Sequence, residues 1–195
     1  MEKSLVHRRE SIIVSTIEVL NRVGLQNLST KLIARQEGVS EGTLFRHFDN
    51  KTQILAAVID QFGKFDNAII ETCAQKDLSP VDSLRYFFSA YAEYYENYPE
   101  ITVVMQLYDS LLNEAGLADK IRAIIKKRED FIVAMIKDGQ NSGIFSKRLN
   151  ANRIAELLIG GNKEVCLKWR MGKYDFSLKE RALDLFETLI TVLER

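Results

Sequence analysis

The sequence predicts an all-α fold of about nine helices, three short ones at the N-terminus and a larger helical part behind them. Three observations carry this. Only two prolines and ten glycines punctuate 195 residues, so long segments run uninterrupted. Within those segments apolar residues recur at helical spacing. A hydrophobic content of 46% supports a real core, while 28% charged residues fit a soluble chain.

Residues 9–23 read as the first helix, because Ile13, Thr16, Ile17, Leu20 and Val23 fall at i, i+3, i+4, i+7 and i+10. Gly24 closes it just beyond its C-cap. Ser29 caps a second helix over about 30–36, with Leu32, Ile33 and Ala34 facing inward. Gly38 permits a sharp turn, Val39 plugs the core beside it, and Ser40 caps the third helix. That helix is too short to persist alone in water. Leu44 and Phe48, at i and i+4, give it one face to pack. Three short helices with a tight glycine turn between the second and third form a helix-turn-helix.

Asp49-Asn50 break the pattern, and a long helix follows over about 51–75 with Ile54, Leu55, Val58, Ile59, Phe62, Phe65, Ile69 and Ile70. Ser79-Pro80 starts the next, about 80–96, with serine as N-cap and proline first in the helix. It is rich in rings: Tyr86, Phe87, Phe88, Tyr91, Tyr94 and Tyr95. Pro99-Glu100 opens a helix of about 99–113, and Gly116 precedes one of about 117–141. A turn at 141–146 and helices of about 150–171 and 178–194 complete the order. No internal repeat, low-complexity tract or linker interrupts it. The division falls at the start of the long helix, between residues 1–50 and 51–195.

The formal net charge is zero, but its distribution is not even. Residues 1–51 hold eight basic and six acidic side chains, and both histidines, His7 and His47, lie there too. This asymmetry lends mild support to a DNA-binding N-terminal part. No apolar run approaches the roughly 18–20 residues that a bilayer requires, and the N-terminus lacks a secretory core and cleavage site. A cytoplasmic location is expected. Cys73 and Cys166, far apart in helical context, read as buried thiols, with a disulfide or redox pair as the alternative.

The N-terminal segment resembles the TetR (tetracycline repressor) family of bacterial helix-turn-helix regulators. The residues that carry the likeness are Arg9, Ile12-Ile13, Gly24, Ser29, Ile33-Ala34, Gly38-Val39-Ser40, Gly42-Thr43-Leu44, His47-Phe48 and Lys51. Four positions depart from the family's pattern. Its pair of alanines in the first helix is Ser15-Thr16 here, which the core can absorb if the hydroxyls bond back to backbone carbonyls. Its small residue before the turn glycine is Glu37. Its third-helix tyrosine, whose hydroxyl reaches a DNA phosphate in similar proteins, is Phe45.

The third helix needs to insert only its first turns into a major groove, which is wide enough for a helix. Gly42 would let the backbone approach closely. Thr43 offers a hydroxyl and a methyl, and Arg46 suits a guanine edge or a phosphate. His47, Lys51 and the Ser29-Thr30 end of the second helix, with its free backbone N–H groups, suit phosphates. Ser40, Glu41 and Phe45 complete the expected face. Glu41 suits the helix dipole or a cytosine amino group. Singly, each of these residues reads as an ordinary cap or surface charge; together they read as a DNA face.

One such module makes few contacts, so a homodimer on a palindromic operator is expected. The resemblance implies that the last two helices pair with their partner's copies. The expected seam comprises Ile154, Leu157, Leu158, Gly161 and Val165 with Leu183, Phe186, Leu189, Ile190 and Leu193. The Gly160-Gly161 pair would admit close helix contact, and ordinary core is the alternative. The middle helices are expected to enclose a small-molecule inducer site. Phe62, Tyr91, Tyr94, Tyr95, Met105 and Tyr108 are candidates, as are Phe131, Met135, Cys166 and Trp169. Asn162, Lys163 and Arg128 would add polar contacts. Rings at helical spacing also suit plain core, and Trp169 also suits the dimer seam.

No metal, cofactor or catalytic constellation is expected: no H-E-x-x-H, no E-x-x-H pair and no phosphate-cradling glycine loop occurs. Glu93 and Glu96 read as lone surface carboxylates. The expected function is a repressor released from DNA by a ligand that shifts the long helix and respaces the two third helices. A ligand-independent architectural or assembly-linked DNA binder is the alternative.

Overall fold

Ten α-helices and one 3-10 turn make up the computed structural model, which describes residues 5–114 and 116–193. The helices are α1 (Leu5–Val23), α2 (Thr30–Glu37), α3 (Glu41–Leu44), α4 (Lys51–Gln75) and α5 (Pro80–Asn97). After the 3-10 turn (Pro99–Thr102) come α6 (Val103–Gln106), α7 (Tyr108–Leu112), α8 (Ala118–Asn141), α9 (Ala151–Met171) and α10 (Leu178–Leu193). The expected helix over 99–113 is therefore three short pieces. Ile101, Thr102, Val103 and Val104 are β-branched in succession, which weakens helix formation. The Thr102 hydroxyl also donates to the Pro99 carbonyl at 2.5 Å. At Leu107 the N–H is shared between the carbonyls of Val103 and Val104 (3.1 and 3.2 Å), so the spiral restarts there. The expected end of the last helix at Glu194 lies outside the described residues.

The chain packs as two compact units, one of residues 1–65 and 99–124, the other of 66–98 and 125–195. The first is larger than the 1–50 segment the sequence marks off, because α1 packs on the 3-10 turn and α6 as well as on α2. Its core holds Ile12, Ile17, Leu20, Ile33, Leu44, Phe48, Ile54, Leu55 and Ile59. The start of α4 is fixed by a local exchange. Asn50 Oδ1 accepts the Gln53 N–H at 2.9 Å, and the Gln53 amide returns to the Asp49 backbone and side chain.

In the second unit α10 packs on α5 and α9. Phe186 of α10 lies fully buried against Phe88 of α5, ring centroids 5.8 Å apart. Two carboxylates of α5 tie the start of α10. Glu96 accepts from the Ser177 hydroxyl (3.0 Å) and the Lys179 N–H (3.1 Å), and Glu93 pairs with the Lys179 ammonium at 2.6 Å. Glu93 and Glu96 are thus helix ties of this chain.

Candidate nucleic-acid interface and aromatic cluster

The turn between α2 and α3 follows from three local features. Gly38 takes φ +73°, a left-handed conformation that glycine adopts without a Cβ penalty. The Val39 N–H then closes on the Ala34 carbonyl at 2.9 Å. Ser40 caps α3 by accepting the Thr43 N–H at 3.2 Å, as Ser29 caps α2 by accepting that of Leu32. Leu44 and Phe48 are 0% and 1% exposed, so the short helix is held from behind. Arg9 of α1 lies over the Phe48 ring, 4.7 Å from its centroid.

The opposite side is open. Ser40, Gly42, Phe45 and Arg46 are exposed, with Glu41, Thr43 and His47 half-buried. Gly42 is informative because a Cβ there would meet nothing closer than the Ser40 hydroxyl at 3.7 Å. A helical glycine costs about 1 kcal/mol against alanine, and nothing inside the protein requires it. The Thr30 hydroxyl donates to Glu41 Oε2 at 2.7 Å, which ties the first turn of α2 to that of α3. The two alternatives for Glu41 thus gain a third: its carboxylate is a link between helices. Lys51, half-buried at the head of α4, lines a cleft of about 270 Å³ with Leu25, Gln26, Ser110, Asn113 and Glu114.

In the second unit a buried polar cluster stands among the expected aromatics. Asp66 of α4 is 1% exposed and takes both arms of Arg128 of α8, Nε to Oδ2 at 2.6 Å and a terminal nitrogen to Oδ1 at 2.7 Å. The Tyr91 hydroxyl donates to the same carboxylate. The guanidinium lies 4.7 Å from the Tyr91 ring centroid, a cation–π contact. Burial raises the Tyr91 phenol above its ordinary value more than the Arg128 charge lowers it. Burial likewise raises Tyr94, helped by the Asp66 charge. Arg128, expected as a ligand contact, is therefore already bidentate to a protein carboxylate.

Of the expected pocket residues, Phe62, Met105 and Tyr108 belong to the first unit, and the remainder to the second. Phe62 meets Tyr108 edge-on at 6.2 Å. Tyr91 and Tyr95 are buried and adjoin at 5.8 Å, while Tyr94 is half-buried. Phe131 stacks on Phe87 at 5.2 Å, and Met135 is half-buried. Asn162 turns back to the Leu158 carbonyl of its own helix at 2.9 Å. Trp169 is buried against Tyr174 at 4.5 Å. Cys73 and Cys166 are both free buried thiols, and burial pushes Cys166 up to about 11.

The seam residues divide. Ile154, Leu158, Phe186, Ile190 and Leu193 lie in the second unit's own core. Gly161 receives Leu185 of the same chain, where a Cβ would sit 2.8 Å from its Cδ2. Val165, Leu183 and Leu189 are half-buried. Leu157 is 63% exposed, and Met171 (75%) and Val192 (72%), outside the expected seam, are exposed as well. Gly160 faces open space.

Sequence reasoning also missed Asp66, although a signal exists. It falls four residues after Phe62, three before Ile69 and seven before Cys73, a charge within an apolar helical stripe. The missed Thr30–Glu41 link has no such signal, since its partners lie on different helices.

Comparison with known proteins agrees with this architecture. Residues 12–58 match the bacterial regulatory proteins of the tetR family, and residues 58–192 match the C-terminal region of YsiA-like proteins. The chain is 23% identical over 181 residues to the fatty acid metabolism regulator protein of Bacillus subtilis, covering 92% of each. The crystal structure of the transcriptional regulator FadR from Bacillus subtilis in complex with stearoyl-CoA superposes with a TM-score of 0.79. That match has 23% identity and covers 93% of this chain and 97% of that one. The nucleoid occlusion factor SlmA of Vibrio cholerae is 22% identical over 156 residues, 80% of each chain.

Proposed function

Because the chain belongs to the TetR family of bacterial regulatory proteins and is a DNA-binding transcriptional regulator, we propose that it acts as a ligand-released repressor. A homodimer holds a palindromic operator with two copies of α3, and a small molecule in the second unit releases it. The observation that carries the DNA face is Gly42, a helical glycine that the protein's own packing does not need. Exposed Arg46 beside it supplies the charge. A dimer seam on α9 and α10 is supported by the open space at Gly160 and by the exposure of three large apolar side chains of those helices, Leu157, Met171 and Val192.

The ligand class we propose is a long-chain acyl thioester, because the Bacillus subtilis relative regulates fatty acid metabolism and its structure holds stearoyl-CoA. Tyr94, Tyr95, Phe131 and Met135 would offer the apolar, adaptable wall for such a chain. α4 is the transmitting element, since one helix supplies residues 51–65 to the first unit and 66–75 to the second. Two α3 helices must stand about 34–36 Å apart to meet successive major grooves. The ligand releases DNA only if it binds better to a different spacing.

A second reading, an assembly-linked DNA binder without a ligand, is favoured by the Tyr91 hydroxyl, which Asp66 satisfies internally. A likeness to a nucleoid occlusion factor, SlmA of Vibrio cholerae, accompanies it. One experiment separates the two. The full chain is used to select duplexes from random-sequence DNA, and stearoyl-CoA is titrated into the resulting complex. Enrichment of a palindrome that stearoyl-CoA releases supports the repressor; a complex that survives the titration supports the second reading.

A further inference from the structure

The recognition segment carries one large side chain that its fold does not use. Phe45 follows α3 directly as its C-cap and is 45% exposed, whereas Leu44 beside it is fully buried. Among the described residues it meets no other ring and no cation. Its polar neighbours are committed elsewhere: Thr43 to the Ser40 hydroxyl at 3.1 Å, and Glu41 to Thr30 at 2.7 Å. A phenyl ring neither donates nor accepts a hydrogen bond, so it has nothing to offer a phosphate oxygen or a polar base edge. Among the groups displayed in the major groove, one is apolar, the C5-methyl of thymine.

We propose that Phe45 is a specificity-determining residue that reads a thymine methyl in the major groove. The inference rests on the DNA-binding reading and adds to it a base preference set by an apolar contact. Covering one methyl is worth about a three- to fivefold change in affinity. A base other than thymine at that position loses this contact, while a uracil loses the methyl and nothing else.

The test uses duplexes selected from random-sequence DNA by the full-length protein, with each thymine replaced singly by deoxyuridine. For the wild type, one thymine per half-site should show an affinity loss of about three- to fivefold. Phe45→Ala should bind more weakly and be indifferent to that replacement, while Phe45→Tyr should keep the methyl dependence. Because the ring is exposed, both variants should retain the wild-type urea midpoint, so that a loss of affinity is not a loss of fold. A consensus without thymine, an absence of any deoxyuridine effect, or an effect that persists in Phe45→Ala would overturn the inference; the last would assign the methyl to Thr43. Failure to enrich any duplex would sink the DNA-binding reading together with the inference, whereas enrichment without methyl dependence sinks the inference alone.

Discussion

Ser15 of α1 donates a hydrogen bond from its hydroxyl to Oε2 of Glu37 on α2 at 2.8 Å. Both residues depart from the small side chains usual at these places in the family, and each accounts for the other. Glu37, its side chain 5% exposed, also accepts from Ser11 (2.7 and 2.8 Å) and pairs with Arg8 at 3.0 Å. A carboxylate between α1 and α2 is thus surrounded by donors rather than stranded. The neighbouring Thr16 hydroxyl bonds back to the Ile12 carbonyl at 2.7 Å, as expected, whereas Ser15, expected to do the same, donates instead to the Glu37 carboxylate.

This clamp should hold the helix-turn-helix together. Glu37→Ala is expected to cost about 1.5–3 kcal/mol in urea unfolding, the value of hydrogen bonds to a charged group. Ser15→Ala in the Glu37→Ala background should cost less than Ser15→Ala alone, because contacting residues couple. Strict additivity in that cycle would show that the two do not share an interaction.

Gly42→Ala should separate stability from function. The Cβ fits, so the variant is expected to gain about 0.5–1 kcal/mol of stability while losing affinity for selected DNA. Unfolding curves and binding titrations on the same preparation read both. Equal affinity of Gly42→Ala and the wild type for DNA would leave this glycine without a part in binding.

The Asp66–Arg128 pair should be costly to break from one side. Arg128→Ala leaves a carboxylate buried with its bidentate partner gone, and about 3–5 kcal/mol is the usual penalty. Thermal or urea unfolding reads it. A loss under about 1 kcal/mol would mean that water reaches the site and screens the charge, as at an exposed pair.

Stability should also fall in alkaline solution. Cys166 holds its proton up to about 11 when folded, against an ordinary 9.0. Above pH 9 the unfolded chain therefore binds fewer protons than the native one at this thiol, and the slope of stability against pH is negative there. Its contribution is intact below pH 9 and lost as pH rises through about 11. In Cys166→Ala the decline measured between pH 8.5 and 10.5 should be shallower than in the wild type, whatever the variant's absolute stability.

Much of this fold was legible because its signals are local. Ser29, Ser40 and Ser79 each cap the helix that follows, and α4 spans the 51–75 expected of it. The broken segment at 99–112 was misread because period alone cannot see a β-branched run that weakens a helix. The site was harder to read, since its decisive relations are long-range. Glu37 with Arg8, Thr30 with Glu41, and Asp66 with Arg128 are pairings between helices. Burial, too, is a property of packing: apolar spacing on α9 and α10 did not distinguish Phe186, in the core, from Leu157, which is 63% exposed.

Lys51 should contribute chiefly through charge. Lys51→Ala is expected to weaken binding across sequences alike and to reduce the slope of log affinity against log salt by about one unit, as one phosphate contact is lost. An unchanged slope would assign this lysine to the cleft beside Glu114 instead.

Whether the exposed side of α3 binds DNA turns on Arg46→Ala. A mobility-shift titration on the duplex selected by the wild type should show an affinity loss of about tenfold or more, the scale of one good base contact, with the unfolding midpoint unchanged. Equal affinity of Arg46→Ala and the wild type for that duplex would refute the assignment and place the DNA-binding face elsewhere on the protein.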